Sequence, residues 1–237
     1  MTLIELSGAV VDVPVDDDPR GRPRRLLGPL DLRIGERRVT VIGANGSGKS
    51  TLLRLLNGLV QPTSGTVSVG GRDTRSEGAA VRRRVAFAFT DPLSQLVMPT
   101  GREDVELSLR RTHRDRKARR AVAEQALDRF GLLPLADQSI YDLSGGERQL
   151  MALAAVLATE PDLLVLDELS TLLDLRNTIL LRRLLGELPQ SVVMATHDLD
   201  LAQEAERTLV VDHGAIVFDG RPAEAVAHYR RLSEGLV

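Results

Sequence analysis

A glycine-rich segment constrains the fold of this chain more than any other sequence feature. Residues 43–50, GANGSGKS, fit the pattern G-x-x-x-x-G-K-S. An apolar stretch at residues 38–42 precedes the segment and predicts a buried strand, and a leucine-rich helical pattern follows it at residues 52–59. This order of strand, glycine loop and helix is typical of a phosphate-binding loop in an α/β fold. The alternative is a chance glycine turn before a helix.

The chemistry of phosphate binding explains the spacing. Glycines let successive backbone N–H groups face one anion, and the start of the following helix adds partial positive charge. Lys49 is then placed to reach the β- and γ-phosphates of a nucleotide, and the Ser50 hydroxyl to bind Mg²⁺. The predicted nucleotide-binding residues are Gly43, Ala44, Asn45, Gly46, Ser47, Gly48, Lys49, Ser50 and Thr51.

Composition excludes several other classes of protein. The 237 residues include no cysteine, which excludes a disulfide scaffold, a thiolate metal site and a cysteine nucleophile. The 31 Lys and Arg against 33 Asp and Glu give a net charge of −2, so no global charge draws the chain to nucleic acid or to an anionic membrane. The longest apolar run, residues 150–158, is shorter than the roughly 20 residues of a membrane span, and the N-terminus has no signal-peptide pattern. We therefore expect a cytosolic protein.

Apolar runs alternate with helical patterns along most of the chain, which predicts parallel βαβ units. Strands are predicted at residues 2–6, 38–42, 65–69, 163–166, 191–195, 208–211 and 215–218, and an acidic, proline-rich loop at residues 16–29. Between residues 101 and 158 only helical patterns occur, at 105–111, 121–130 and 147–158, and a further helix is predicted at 174–187. The sequence thus predicts a helical insertion into an α/β sheet.

Two carboxylates, Asp167 and Glu168, follow the predicted strand at residues 163–166. Ligands of open α/β sheets bind at the carboxyl ends of the strands. Asp167 is therefore predicted to help hold Mg²⁺, and Glu168 to orient or deprotonate the attacking water. The alternative is a pair of acids that ends a strand in a solvent loop.

A third motif, Ser144-Gly145-Gly146-Glu147, lies at the start of the predicted helix 147–158. Ser144 and Glu147 have the spacing of a capping box, which is a purely structural explanation. Glycines in a first helical turn cost about 1 kcal/mol each in helix propensity, and a cap alone gains nothing from them. Bare N–H groups at a helix start can instead bind a second anion.

In their order along the chain, these motifs resemble those of the nucleotide-binding subunits of ABC transporters. Residues 43–50 match the Walker A loop, residues 143–149 the signature motif, and residues 163–168 the Walker B strand. Asp174 matches the D-loop aspartate and His197 the switch histidine. The resemblance implies an α/β fold of the P-loop NTPase type, an ABC-type ATPase core with an antiparallel β portion and an inserted helical subdomain. It implies one ATP-binding domain over residues 1–237, with a core at 1–90 and 160–237 and a helical subdomain at about 91–159.

The resemblance also implies an ATPase with ATP and Mg²⁺ as cofactors. Glu168 and His197 are its expected catalytic residues, and Ser50 and Asp167 its expected magnesium ligands. A second ATPase copy, identical or related, is the implied partner. The signature residues Ser144, Gly145, Gly146 and Glu147 of each copy would close over the ATP bound to the other.

Residues 91–105 resemble one branch in particular, the ATPases of energy-coupling factor transporters, which import vitamins and transition-metal ions. In that branch a short helix bearing a glutamine engages a transmembrane coupling protein, and Gln95 is the matching residue. The resemblance implies that coupling protein and a substrate-binding membrane subunit as partners, at the cytoplasmic face of the cell membrane. The compact length favours the biotin-uptake type. The alternative for these residues is a turn and a helix capped by Thr100 and Glu103.

The chain departs from the family pattern in four places. Thr90 stands at the position of the Q-loop glutamine, which gives it an expected coupling role with Gln95, and Leu169 replaces the proline that usually follows the Walker B glutamate. The segment before Asp174 lacks the usual glycine, and no aromatic residue precedes the phosphate loop. The adenine contact is therefore expected to be aliphatic, through Val11 or Val13. Thr90 and Leu169 favour one alternative, an ATP-sensing subunit with little turnover.

Seven positive charges fall within residues 110–120. No aromatic residue lies among them to stack on a base, so the run predicts a solvated helical face and no nucleic-acid partner. An ATPase of chromosome maintenance would need a long coiled coil between the phosphate loop and the signature motif, for which the chain has no room. An ABC importer or exporter of another type remains an alternative.

Overall fold

The computed structural model describes residues 1–15, 22–169 and 173–235. Its strands are β1 (Ile4–Val13), β2 (Arg24–Ile34), β3 (Arg38–Ile42), β4 (Ser64–Val69), β5 (Arg72–Asp73), β6 (Val85–Ala88), β7 (Leu163–Asp167), β8 (Ser191–Ala195), β9 (Arg207–Asp212) and β10 (Ala215–Gly220). Its helices are α1 (Lys49–Leu56), α2 (Gly78–Val81), α3 (Gly101–Leu109), α4 (Arg116–Arg129), α5 (Gly145–Leu157), α6 (Leu175–Glu187), α7 (Leu199–Ala202) and α8 (Pro222–Ser233). Short 3₁₀ turns lie at Pro92–Ser94 and Leu133–Leu135.

The strands form two sheets. The larger has the order β10-β9-β3-β8-β7-β6, and all of its neighbouring strands are parallel except β10 and β9. The smaller sheet, β2-β1-β4-β5, is antiparallel. Every residue of β7 and β8 is buried, as expected for strands covered on both faces. The predicted α/β fold with an antiparallel portion is confirmed.

The register of the large sheet brings three strand ends together. Ala195 at the end of β8 pairs with Val41 of β3 on one side and with Asp167 of β7 on the other. The loops that follow β3, β7 and β8 therefore leave the sheet at one edge. These loops carry the glycine-rich segment, Glu168 and His197.

Helices α3, α4 and α5 form the predicted helical insertion. Apolar residues of these helices, such as Val105, Leu127 and Met151, join one core with the adjacent face of the large sheet. The guanidinium of Arg102 in α3 ties this region together through Asp137 at 2.7 Å and Glu124 at 2.6 Å. Within the described residues, none of the helices is both long enough and apolar enough to cross a membrane.

The predicted loop at residues 16–29 is wrong in its second half. Residues 16–21 lie outside the described residues, but Arg24 begins β2 and pairs across the sheet with Val13, so β1 also extends beyond its predicted end. Leu27 and Leu30 of β2 are buried. Pro29 is tolerated because β2 is an edge strand, where a missing N–H need not interrupt a ladder. The glycine, proline and charged residues of this segment indicate a loop, but pairing of β2 with the distant strand β1 makes it a strand.

Candidate active site

The glycine-rich loop is held by close packing on two strands. A Cβ atom at Gly43, which has a φ of 152°, would overlap the carbonyl oxygen of Val211 in β9. Gly48 has a φ of 113°, and a Cβ there would lie 3.2 Å from the carbonyl oxygen of Leu26 in β2. Both positions therefore require glycine before any ligand is considered.

Lys49 places a buried cation at the centre of this loop. Its side chain is 3% exposed, and Nζ donates to the carbonyl oxygens of Gly43 and Ala44, each at 3.0 Å. Nζ also lies 3.4 Å from Oε1 of Glu168. The nearby Ser47 hydroxyl is buried and has no hydrogen-bond partner among the described residues. A buried ammonium group and an unpartnered hydroxyl in one loop fit a phosphate ligand.

Ser50 and Asp167 present two oxygen atoms beside this cation. Ser50 Oγ donates to Oδ1 of Asp167 at 2.9 Å. Burial raises the pKa of Asp167, while the Ser50 hydrogen bond and the charges of Arg54 and Lys49 oppose that rise. Hydroxyl and carboxylate oxygens suit Mg²⁺, which usually completes its shell with water and substrate phosphate. Among the described residues no three His, Cys, Asp or Glu side chains form a metal cluster.

Glu168 and His197 meet across the ends of β7 and β8. His197 Nε2 lies 2.8 Å from Glu168 Oε1. Glu168 has a φ of 55°, a left-handed conformation that is uncommon for a residue with a side chain, and its backbone N–H donates to Ala195 at 3.1 Å. Leu169, at the usual proline position, is buried in the core that covers the helical face of the sheet.

Lys49, Ser50 and Glu168 line one cavity of about 400 Å³, whose lining does not include Asp167 or His197. Its lining comprises Arg24, Leu26, Asn45, Gly46, Gly48, Lys49, Ser50, Thr51 and Glu168. Arg24 and Leu26 were not predicted as site residues, because both lie in the segment predicted to be a loop. The apolar residues between Leu26 and Ile34 could have indicated strand β2. The expected adenine contact through Val11 is wrong, because Val11 is buried in the core between the two sheets. Val13 is partly buried beside Arg24.

The signature residues lie away from that cavity within one chain. The capping box is present, since Ser144 Oγ accepts from the backbone of Glu147 and the Glu147 carboxylate accepts from the backbone of Ser144. Asp174 caps α6 by accepting from the backbone of Asn177 at 2.8 Å. A Cβ at Gly146 would lie 2.7 Å from Nδ2 of Asn177, the end of a side chain that can rotate away, so packing alone does not require this glycine.

The two expected coupling residues make internal hydrogen bonds. Thr90 Oγ1 donates to the backbone carbonyl of Asp167 at 2.8 Å. The Gln95 amide accepts from the backbone of Phe89 at 3.3 Å and donates to the carbonyl of Ala152 at 2.8 Å. Gln95 therefore links the end of β6 to helix α5.

Several known proteins are similar to this chain in sequence. The family model described as ABC transporter matches residues 29–171. The biotin transport ATP-binding protein BioM of Rhizobium etli is 44% identical over 210 residues, which cover 89% of this chain and 93% of BioM. The energy-coupling factor transporter ATP-binding protein EcfA1 of Lacticaseibacillus paracasei is 38% identical over 208 residues, or 86% of this chain and 74% of EcfA1.

A solved structure of an ATP-binding cassette has a similar fold. The dimeric, post-hydrolysis ATP-binding cassette MJ0796, bound to ADP and Pi, has a TM-score of 0.83 and 28% identity to this chain. The match covers 92% of this chain and 98% of the cassette. Together with the motif order, these similarities confirm the resemblance to ABC transporter subunits that the motifs indicated. The chain belongs to the ABC transporter family, as one of the ATP-binding subunits in which hydrolysis of ATP is coupled to transport.

Proposed function

We propose that this chain hydrolyses ATP to power import of a small solute, a vitamin or a transition-metal ion, through an energy-coupling factor type ABC transporter. The observation that carries the proposal is the position of Glu168. Its carboxylate lies 2.8 Å from His197 Nε2 and 3.4 Å from Lys49 Nζ, beside the cavity of the phosphate loop. A base next to a phosphate cradle is the arrangement that hydrolysis of a terminal phosphate needs.

Each residue then has a distinct task. Lys49, Ser47 and the loop N–H groups bind the phosphates, and Ser50 and Asp167 hold Mg²⁺, which neutralises phosphate charge when bound. Glu168 orients the attacking water and accepts its proton, while His197 holds the Glu168 carboxylate and contacts the γ-phosphate. Ser144, Gly145, Gly146 and Glu147 of a second copy complete the site, with Asp174 at the junction between the copies. In the described structure these signature residues do not line the cavity of their own chain, which supports the participation of a second copy.

An exposed apolar patch supports a membrane partner. We define the coupling patch as Leu93, Val97 and Tyr141, of which Val97 is 70% and Tyr141 72% exposed. A hydrogen bond of 3.0 Å from Ile140 to the Pro99 carbonyl joins the two segments that carry these side chains. Large exposed apolar side chains grouped in this way mark interaction sites. The proposed occupant is a transmembrane coupling protein, which also binds the substrate-binding membrane subunit and holds the ATPase at the cytoplasmic face.

Gln95 supports the coupling patch from inside. Its bonds to Phe89 and Ala152 fix the segment that presents Leu93 and Val97. Thr90 connects the same segment to Asp167. A change in the nucleotide site can therefore reach the patch through backbone contacts. The relatives BioM, a biotin transport ATP-binding protein, and EcfA1, an energy-coupling factor transporter ATP-binding protein, support this type of importer.

The hydrolysis step is tested with Glu168→Gln, which keeps the shape of the side chain and removes the base. We expect ATP turnover to fall by at least about a hundredfold, with ATP still bound and a dimer trapped. Glu224→Gln, in the first turn of α8, is the matched control and should hydrolyse ATP like the wild type. Equal hydrolysis by the wild type and Glu168→Gln would favour a subunit that only senses ATP.

The membrane partner is tested with Val97→Asp in the coupling patch. The control is Val217→Asp, which places the same charge at another exposed valine, in β10. We expect Val97→Asp to abolish copurification with a polytopic membrane protein and Val217→Asp to retain it. Gln95→Ala should weaken copurification. Equal retention by both valine variants, or copurification with DNA or ribosomes instead, would contradict the proposal.

A further inference from the structure

The nucleotide cavity lacks an aromatic surface for a base. The chain has 4 Phe and 2 Tyr, and none of them lines the cavity of the phosphate loop in the described structure. The aliphatic substitute expected at Val11 is buried in the core. Outside the loop, the described residues that line the cavity are Arg24 and Leu26 of β2 and Glu168, and Arg24 alone among these three carries a positive charge.

Strand β2 carries Arg24 to this wall, close to Leu26. Leu26, two residues further along the strand, touches the loop, since its carbonyl oxygen lies 3.2 Å from the position of a Cβ on Gly48. The pairing of β2 with β1 shifts by one residue at Leu26, between the pairs Val11–Leu27 and Asp12–Arg25. Arg24 and Leu26 both line the cavity of the phosphate loop. A nucleotide whose phosphates bind this loop would have its nucleoside in the rest of the cavity, whose wall includes this part of β2.

Arg24 differs from its neighbour Arg25 in the contacts of its side chain. Arg25 lies on the opposite face of β2, where its Nε donates to Asp12 Oδ1 at 3.0 Å. Arg24 is exposed, and its side chain makes no hydrogen bond or ion pair within the described residues. Its cross-strand neighbour is Val13, a partly buried aliphatic side chain that carries no charge. The guanidinium of Arg24 is therefore free to meet a ligand.

We infer that the Arg24 guanidinium is the platform on which the adenine ring of the bound nucleotide stacks, with Val13 beside it. A planar guanidinium stacks on aromatic faces and is attracted by their π-electrons. Arg24 thus replaces the missing aromatic residue. The inference rests on the proposed binding of nucleotide phosphates by the loop around Lys49. It adds a binding residue that acts on the base and not on the phosphates.

A comparison of two ligands distinguishes binding of the base from binding of the phosphates. The affinities of ADP and pyrophosphate are measured with magnesium, by calorimetry and by competition, for the wild type and for Arg24→Ala. We expect Arg24→Ala to weaken ADP binding about fivefold to thirtyfold, the range for a cation on a partly desolvated ring. Pyrophosphate binding should change less than about twofold, because it has no base to stack.

Two further variants complete the test. Arg24→Tyr should restore ADP affinity, since a phenol ring also stacks on a purine. Arg25→Ala is the control on the opposite face and should bind ADP like the wild type. The inference fails if Arg24→Ala leaves ADP binding unchanged, or if it weakens ADP and pyrophosphate equally, since the guanidinium would then contact phosphate. A wild type that binds neither ligand would overturn the phosphate site as well.

Discussion

His197 Nε2 lies 2.8 Å from Glu168 Oε1, although the two residues follow different strands of the large sheet. Because β7 and β8 are parallel neighbours, their carboxyl ends coincide, and the backbone bond from Glu168 to Ala195 fixes the first turn of one loop to the end of the other strand. The contact therefore depends on strand register and not on loop flexibility. It holds the carboxylate over the phosphate loop.

The histidine is expected to act on the chemical step. We predict that His197→Asn lowers kcat for ATP hydrolysis by about tenfold to a hundredfold with little change in KM, as expected for one lost hydrogen bond to a charged group. His213→Asn is the matched control, because His213 is exposed in the turn between β9 and β10. Steady-state kinetics decide the result. A raised KM with an unchanged kcat would assign His197 to binding.

The two lysines of the chain provide a matched pair for nucleotide binding. Lys49→Met removes the buried cation of the phosphate loop and keeps most of its volume. We predict that ATP affinity falls by at least about tenfold, because charge-assisted hydrogen bonds to phosphate are lost. Lys117→Met, on the exposed basic part of α4, should leave the affinity unchanged. Calorimetric titration with ATP checks both, and equal affinities would contradict the assignment of Lys49.

Asp104 is expected to make stability depend on pH. Its carboxylate is buried and accepts from the backbones of Val97 at 2.9 Å and Met98 at 3.0 Å, and burial raises its pKa despite these bonds. The folded state therefore retains the proton to higher pH than the unfolded state does. Its contribution to stability is complete below the ordinary aspartate pKa of about 3.9 and is lost as the pH rises through the raised value.

Asp104→Asn tests this directly. The amide oxygen can accept the same two backbone bonds without a buried charge. Urea unfolding of both proteins over a pH series should show the variant gaining stability relative to the wild type as the pH rises through that window. A constant difference across the series would contradict the raised pKa.

Two helical glycines should respond in opposite directions to alanine. A Cβ at Gly101, where α3 begins, would lie 2.9 Å from Cγ of the buried Met151 and closer still to its sulfur. Gly101→Ala should therefore destabilise the protein by about 1–3 kcal/mol through overpacking. Gly186 in α6 is exposed with no atom within 4 Å of its Cβ position, so Gly186→Ala should stabilise by about 0.5–1 kcal/mol. Thermal and urea unfolding measure both, and a shared sign would contradict this account.

The predictions that succeeded depend on local sequence. The strand, loop and helix around residues 43–50 were correctly predicted because apolar runs and glycines stand side by side in the chain. The capping box of Ser144 and Glu147 and the buried β7 were predictable for the same reason. The order of motifs then identified the ABC family, which the comparisons confirm.

The predictions that failed depend on contacts between distant parts of the chain. Strand β2 is stabilised by pairing with β1, and nothing local distinguishes Arg24 from a loop arginine. The burial of Val11 is set by packing between the two sheets. The proximity of Gly146 in α5 to Asn177 in α6 likewise joins residues far apart in the chain.

The first glycine of the phosphate loop is fixed by a neighbouring strand. A side chain at position 43 would collide with the Val211 carbonyl whether or not a nucleotide is present. A descendant of this protein that had lost hydrolysis would therefore still need glycine at position 43 in order to fold. The presence of Gly43 therefore does not show whether a related protein is active. Residues that are not required for packing in this way, above all Glu168 and His197, are the ones to inspect.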